Sequence, residues 1–172
     1  MAADYSRGPR LRRDVKASRF VRRSAAVAMA LAVVCLSGCA IPTDPNGSLE
    51  RIDGGTLHAG ATEHAGLVTV AGGEVAGPLA DLIEGFAAEH DASVDWTIDG
   101  EESLVDDLEA GRLDLAIGDM TDATPWVDRV SVTRAYSTID GSDGESIVVL
   151  LPLGENALQS ALESYLDREV GP

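Results

Sequence analysis

Glu63 and His64 follow the short apolar run Thr56–Ala61 (TLHAGA), and Asp119 and Asp122 follow the apolar run Leu113–Gly118. If these runs are neighbouring strands, two carboxylate-bearing strand ends and an imidazole meet at one sheet edge. Such a set can ligate a metal ion or pass a proton between an acid and a base. The chain nevertheless has no close-spaced ligand motif such as H-x-x-x-H, no nucleophile elbow and no glycine-rich phosphate loop. The three histidines, His58, His64 and His90, are scattered and read as surface or strand-end residues. The expectation is therefore a protein without catalytic residues, metal or cofactor. A metal-binding or hydrolytic domain is the weaker alternative. The segment Asp119–Arg129 (DMTDATPWVDR) is polar and turning, and its Trp126 could offer an apolar or cation–π wall to a ligand.

The surrounding pattern supplies the elements that would hold these residues. In Gly77–Glu89, Leu79, Leu82, Ile83, Phe86 and Ala87 fall on one helical face, with Pro78 suited to the first helical position. Leu67–Val70 followed by Gly72-Gly73 reads as a short extended piece with a turn. Ser93–Thr97 is strand-like. Asp99 is placed to cap a helix over Glu101–Ala110 that Gly111 ends, and Leu113–Gly118 follows as a strand. Thr124-Pro125-Trp126 could open another short helix. After Val130–Tyr136 and a Ser-, Asp- and Gly-rich spacer, Ser137–Gly144, come the strand-like Ser146–Leu151 (SIVVLL) and an amphipathic helix over Asn156–Arg168. The β-α-β-α-β alternation predicts an α/β lobe of three layers with a mostly parallel sheet, the last strand inserted or antiparallel beside it. Ligands in such sheets sit at the carboxyl ends of the strands, where Glu63 and Asp119 fall. Trp96 and Tyr165 read as core or near-core residues.

The amino terminus has a different chemistry. Eight basic residues lie between Arg7 and Arg23, an uncharged apolar run Ala25–Leu36 follows, and the run closes as Leu36-Ser37-Gly38-Cys39. This resembles a bacterial lipoprotein signal, which implies cleavage before Cys39 and a diacylglyceryl group on its sulfur. About a dozen apolar residues fall short of the roughly 20 that span a bilayer. The expected organisation is a signal peptide over residues 1–38, a flexible tether over 39–53 rich in Pro, Asn, Gly and Ser, and one lobe over 54–172. Arg22-Arg23 leaves the export route, general or twin-arginine, open. Placement on the extracytoplasmic face of the cell membrane through a lipid anchor follows from this reading. With Cys35 in the signal and Cys39 carrying lipid, no thiol remains for a disulfide, a metal or a nucleophile.

Charge reverses at that boundary. Beyond residue 38 there are five basic and twenty-seven acidic residues, a formal charge of −22. Such a surface repels nucleic acid and anionic lipid, so nucleic acid is not an expected partner; it serves solubility and favours cationic ligands.

Several segments together resemble the first lobe of the extracellular solute-binding proteins of family 3, which serve ABC importers. Gly77, Asp81 and Leu82 match one family motif, Leu108, Gly111, Asp114 and Leu115 a second, and Met120-Thr121 the end of a third, G-M-T. SIVVLLPLGENALQSALESYL is similar to the strand and helix that return to that lobe. The resemblance implies a periplasmic-binding-protein-like type II lobe. It implies a small polar, conceivably cationic, solute held by Glu63, Asp119, Met120, Thr121 and Trp126, and an ABC permease or another membrane protein as partner. Two departures accompany it. Ser137–Gly144 is too short to hold the family's second lobe. The family's carboxylate-binding arginine is replaced by Trp126, with Arg129 the nearest substitute. A one-lobe interaction adaptor without a ligand is thus the alternative reading.

Overall fold

The computed structural model describes residues 44–171; the signal, Cys39 and the first residues of the expected tether lie outside them. In chain order the elements are α1 (Ser48–Ile52), β1 (Thr56–Ala61), β2 (Thr69–Ala71), β3 (Glu74–Ala76), α2 (Pro78–Glu89), β4 (Ser93–Ile98), α3 (Glu101–Glu109), β5 (Leu115–Ile117), β6 (Ser131–Val132), β7 (Leu150–Leu151) and α4 (Asn156–Glu169). The main sheet runs β4-β1-β5-β7-β6. β1 pairs in parallel with β4 over six residues and with β5 over three, while β7 is antiparallel to β5 and β6. The expected three-layer, mostly parallel lobe is what the chain forms.

Alternation along the strands sorts the core into two. Leu57, Ala59, Ala61, Leu115, Ile117, Val149 and Leu151 face α2 and α4, with Leu79, Ile83, Phe86, Leu158, Leu162 and Leu166 completing that cluster. On the other face Ala116, Val148 and Leu150 meet Leu104, Val105 and Leu108 of α3, together with Met120. Gly60 belongs to this thinner face. A Cβ there would lie 2.8 Å from both Leu104 and Leu113 side-chain carbons, so its absence lets α3 lie close on the sheet. Tyr165 is a core residue as expected. Trp96 packs against the first cluster, but its indole N–H is buried without a partner among the described residues.

The structure departs from expectation in five places. Residues 44–53 are not a tether. Ser48 and Ile52 of α1 are buried, Asp44 accepts the backbone N–H of Ala157 at 2.6 Å and of Leu158 at 3.1 Å, and Glu155 accepts those of Asn46 and Ser48. The extended piece after Leu67 is the first arm of a hairpin, β2-β3, turned at Gly72-Gly73. Asp99 does not cap α3; its carboxylate accepts the N–H of Gly100, which is the N-cap residue and makes no side-chain cap bond. Thr124-Pro125-Trp126 forms turns rather than a helix. The Ser146–Leu151 run is antiparallel beside β5 but pairs regularly only at Leu150–Leu151, with Ile147 bridging singly to Thr121 and to Tyr136.

Candidate functional site

The carboxyl ends of β1 and β5 converge. Thr62 N–H donates to Ile117 C=O at 3.0 Å, carrying the parallel ladder one residue past β1. Gly118 makes this possible: its φ is 141°, and a Cβ would sit 2.3 Å from the Thr62 methyl and 2.4 Å from its carbonyl oxygen. Beyond Gly118 the chain turns through Asp119, Met120 and Thr121. Thr121 bridges to Ile147, with Val148 N–H donating to Met120 C=O at 2.9 Å and Asp122 N–H to Ser146 C=O at 3.0 Å. In that pairing Thr121's own N–H faces away from the sheet. Among the described residues, none of the N–H groups of Asp119, Met120 and Thr121 meets a protein acceptor. Met120 is fully buried, so the N–H groups of Asp119 and Thr121 are the ones that could meet an anion here.

His64 joins the two strand ends. Its Nδ1 lies 2.9 Å from Asp119 Oδ1 and its Nε2 lies 3.7 Å from Glu145 Oε2, while its backbone bridges to Val68. Glu145 directly follows the spacer, which is not a loose connection. Ile139 is buried in the core, Ser142 Oγ donates to Ser137 C=O, and Gly141 packs on Gly66 so closely that a Cβ there would lie 2.1 Å from the Gly66 oxygen. The spacer thus folds down on the segment that follows β1.

The five expected contact residues are not equivalent. Glu63, Asp119 and Thr121 reach the edge, with Glu63 and Asp119 exposed. Met120 is fully buried as a whole residue against the α3 cluster, so it is not open to a solute. Trp126 turns to α3, where its indole N–H donates to Glu101 at 2.7 Å and its ring packs against the same cluster. Arg129 is equally engaged. It stacks 5.4 Å from the Trp126 ring centre and pairs with Glu109 and, at 2.6 Å, with Asp106. Those carboxylates raise the guanidinium's affinity for its proton, and the hydrogen bond from Arg129 lowers the Glu109 pKa. Arg129 therefore does not replace the family arginine at the strand ends. The carboxylate–imidazole set expected from sequence is assembled only in part. His64 and Asp119 meet, Glu145 joins them unforeseen, and no group of three metal-ligating side chains forms among the described residues.

Two concavities lie elsewhere. One of about 510 Å³ is lined by Asn46, Arg51, Leu108, Glu109, Arg129 and Leu153. The other, about 540 Å³, lies between Pro78, Leu82, Thr138, Asp140, Tyr165 and Glu169. At the strand ends Glu63, Asp119 and Glu145 are exposed and Thr121 is half-buried.

No family model and no curated protein matches this sequence. Solved structures do match. The arginine-bound form of domain 1 from TmArgBP aligns with 69% of this chain and 97% of that one, at 19% identity and a TM-score of 0.59. An arginine-bound point mutant of that domain aligns with 71% and 97%, at 19% identity and a TM-score of 0.61. The fold is that of a single periplasmic-binding-protein-like lobe.

Proposed function

We propose that this chain is a non-enzymatic, one-lobe solute-binding protein. On this reading it is lipid-anchored through Cys39 on the extracytoplasmic face of the cell membrane and works in an ABC-type transport or sensing system. The observation that carries it is the Asp119-Met120-Thr121 turn, where the backbone N–H groups of Asp119 and Thr121 meet no protein acceptor among the described residues at the carboxyl edge of a parallel sheet. A solute carboxylate fits those donors and the Thr121 hydroxyl. Glu63, Asp119 and Glu145 give the rim an acidic character that suits a cationic group. A zwitterionic amino acid with a basic side chain meets both requirements. The arginine-bound state of the lone TmArgBP domain supports the idea that one lobe of this fold can hold such a solute without a second.

An open half-site buries little of its ligand, so the affinity is weak, with a dissociation constant on the order of a millimolar. The same openness favours one alternative, an adaptor whose partner protein supplies the missing wall. Calorimetric titration of the purified full-length chain with L-arginine, L-citrulline and agmatine tests the solute reading. Arginine should bind, citrulline should lose the acidic-rim contribution, and agmatine should lose the carboxylate contribution. Absence of heat for all three would favour the adaptor.

A further inference from the structure

We infer that the cavity of about 540 Å³ between α2, α4 and the spacer is a second binding site, separate from the strand ends, and that it takes a linear polyamine. Its volume lies within the roughly 300–1,000 Å³ of small-molecule sites. Three carboxylates stand around it, one from each wall: Asp81 from α2, Glu169 from α4 and Asp140 from the spacer. All three are exposed, and none has a basic partner among the described residues. Arg168, in the last turn of α4, is taken by Glu89 at 2.6 Å. Pro78, Leu82 and Val170 add apolar lining. The spacer wall is fixed in place, because the Thr138 hydroxyl donates to Val170 C=O at 2.7 Å and Ile139 is buried in the core.

Acidic side chains alone attract any counterion, and Tyr165 is what makes this group a site. It is 7% exposed and lines the cavity, yet its hydroxyl has no hydrogen-bond partner among the described residues. The oxygen is not sealed off as the Trp96 indole nitrogen is. α2 makes room for it: a Cβ on Gly85 would lie 2.1 Å from the hydroxyl oxygen. Asp81 lies one helical turn before Gly85 and Glu169 one turn after Tyr165, so each carboxylate shares a helix face with that contact. Burial raises the Tyr165 pKa and the charges of Glu169 and Glu89 raise it further, so at neutral pH the hydroxyl is intact and accepts from an ammonium. The carboxylates do not gather round one point, since no group of three metal-ligating side chains forms among the described residues. They match a ligand that spaces its ammonium groups along apolar methylenes. An amino acid brings a carboxylate that the three repel.

The test is an amide-resolved NMR titration of the isotopically labelled full-length chain with spermidine and, separately, with magnesium chloride. Four proteins are compared: wild type, Tyr165→Phe, the double variant Asp140→Asn/Glu169→Gln, and Glu102→Gln/Asp128→Asn, which removes two exposed acids elsewhere. Circular dichroism establishes that each is folded. Spermidine should give saturable shifts, largest at the amides of Leu82, Asp140 and Glu169, that magnesium does not reproduce. Each lost cavity carboxylate should weaken binding roughly twofold to fivefold, as for an exposed ion pair. Tyr165→Phe, which keeps the ring, should weaken it also, and Glu102→Gln/Asp128→Asn should bind as wild type does. Equal shifts with magnesium, or shifts of the same size around Glu102 and Asp128, would mean counterion accumulation only and overturn the proposal. Undiminished binding by Asp140→Asn/Glu169→Gln or by Tyr165→Phe overturns it too, as does an absence of saturable shifts. None of these outcomes bears on arginine binding at Asp119 and Thr121.

Discussion

Asp44 and Glu155 cap each other's segments. Asp44 accepts the N–H groups of Ala157 and Leu158 in the first turn of α4, and also that of Leu49 in α1. Glu155, at the N-cap of α4 and fully buried, accepts the N–H groups of Asn46 and Ser48. Helix ends leave such donors unsatisfied, and a buried carboxylate requires them. The exchange fixes the entry of the chain to the last helix, at the end of the sheet opposite Asp119 and Thr121.

This clasp should be cooperative. Asp44→Ala is expected to cost about 1–2 kcal/mol of unfolding free energy and Glu155→Ala about 2–3 kcal/mol, since the latter strands buried donors. The double variant should cost less than the sum, because each carboxylate holds the segment that positions the other. Urea denaturation of the four proteins measures this; strict additivity would show that the two caps act independently.

Trp126 should be a structural residue. With its indole N–H on Glu101 and its ring against the α3 cluster, Trp126→Ala should destabilise by roughly 2 kcal/mol, less than a fully buried tryptophan would. Arginine affinity should stay within a factor of about two, the effect of a surface change remote from the ligand. A large loss of binding without a loss of stability would return Trp126 to the site.

Alkaline pH should weaken the fold through Tyr136. Its hydroxyl donates to Asp167 at 3.1 Å, and burial together with that carboxylate raises its pKa well above the ordinary 10.0. A group with a raised folded-state pKa contributes stability that is complete below its unfolded pKa. That contribution is lost as pH climbs above about 10 toward the folded value. Tyr165 is raised in the same direction, chiefly by burial. Unfolding free energy should therefore fall between pH 9 and pH 11, and the fall should be shallower in Tyr136→Phe and shallowest with Tyr165→Phe added. An unchanged slope in the double variant would remove the tyrosines as its cause.

Anchoring has its own test. Cys39→Ser should leave the precursor uncleaved and unlabelled by radioactive fatty acid; a processed, membrane-bound serine variant would contradict the lipid anchor.

The regular elements were legible because their signals are local. The 3.6-residue apolar period of α2 and α4 and the short runs of β1 and β4 each lie within 14 residues. What was illegible depends on distant partners. Residues 44–53 have tether composition, yet Asp44 accepts the N–H of Ala157, 113 positions away. Met120 looked like a contact residue from its motif. Its side chain points into the core because the chain continues the alternation of β5 past Gly118. The polar composition of the spacer gave no hint that Glu145, just after it, would approach His64. Gly66 and Gly141 carry the only sequence trace of that packing, and glycine alone does not say what approaches it.

The central claim is that the Asp119-Met120-Thr121 turn receives a solute carboxylate. Its most direct measurement is an amide-resolved NMR titration of the isotopically labelled full-length chain with L-arginine. The account predicts saturable shifts at arginine concentrations on the order of a millimolar, largest at the N–H signals of Asp119 and Thr121, and a smaller response there to agmatine, which lacks the carboxylate. Absence of saturable shifts at these two amides, or larger ones around Leu82 and Thr138, would contradict it.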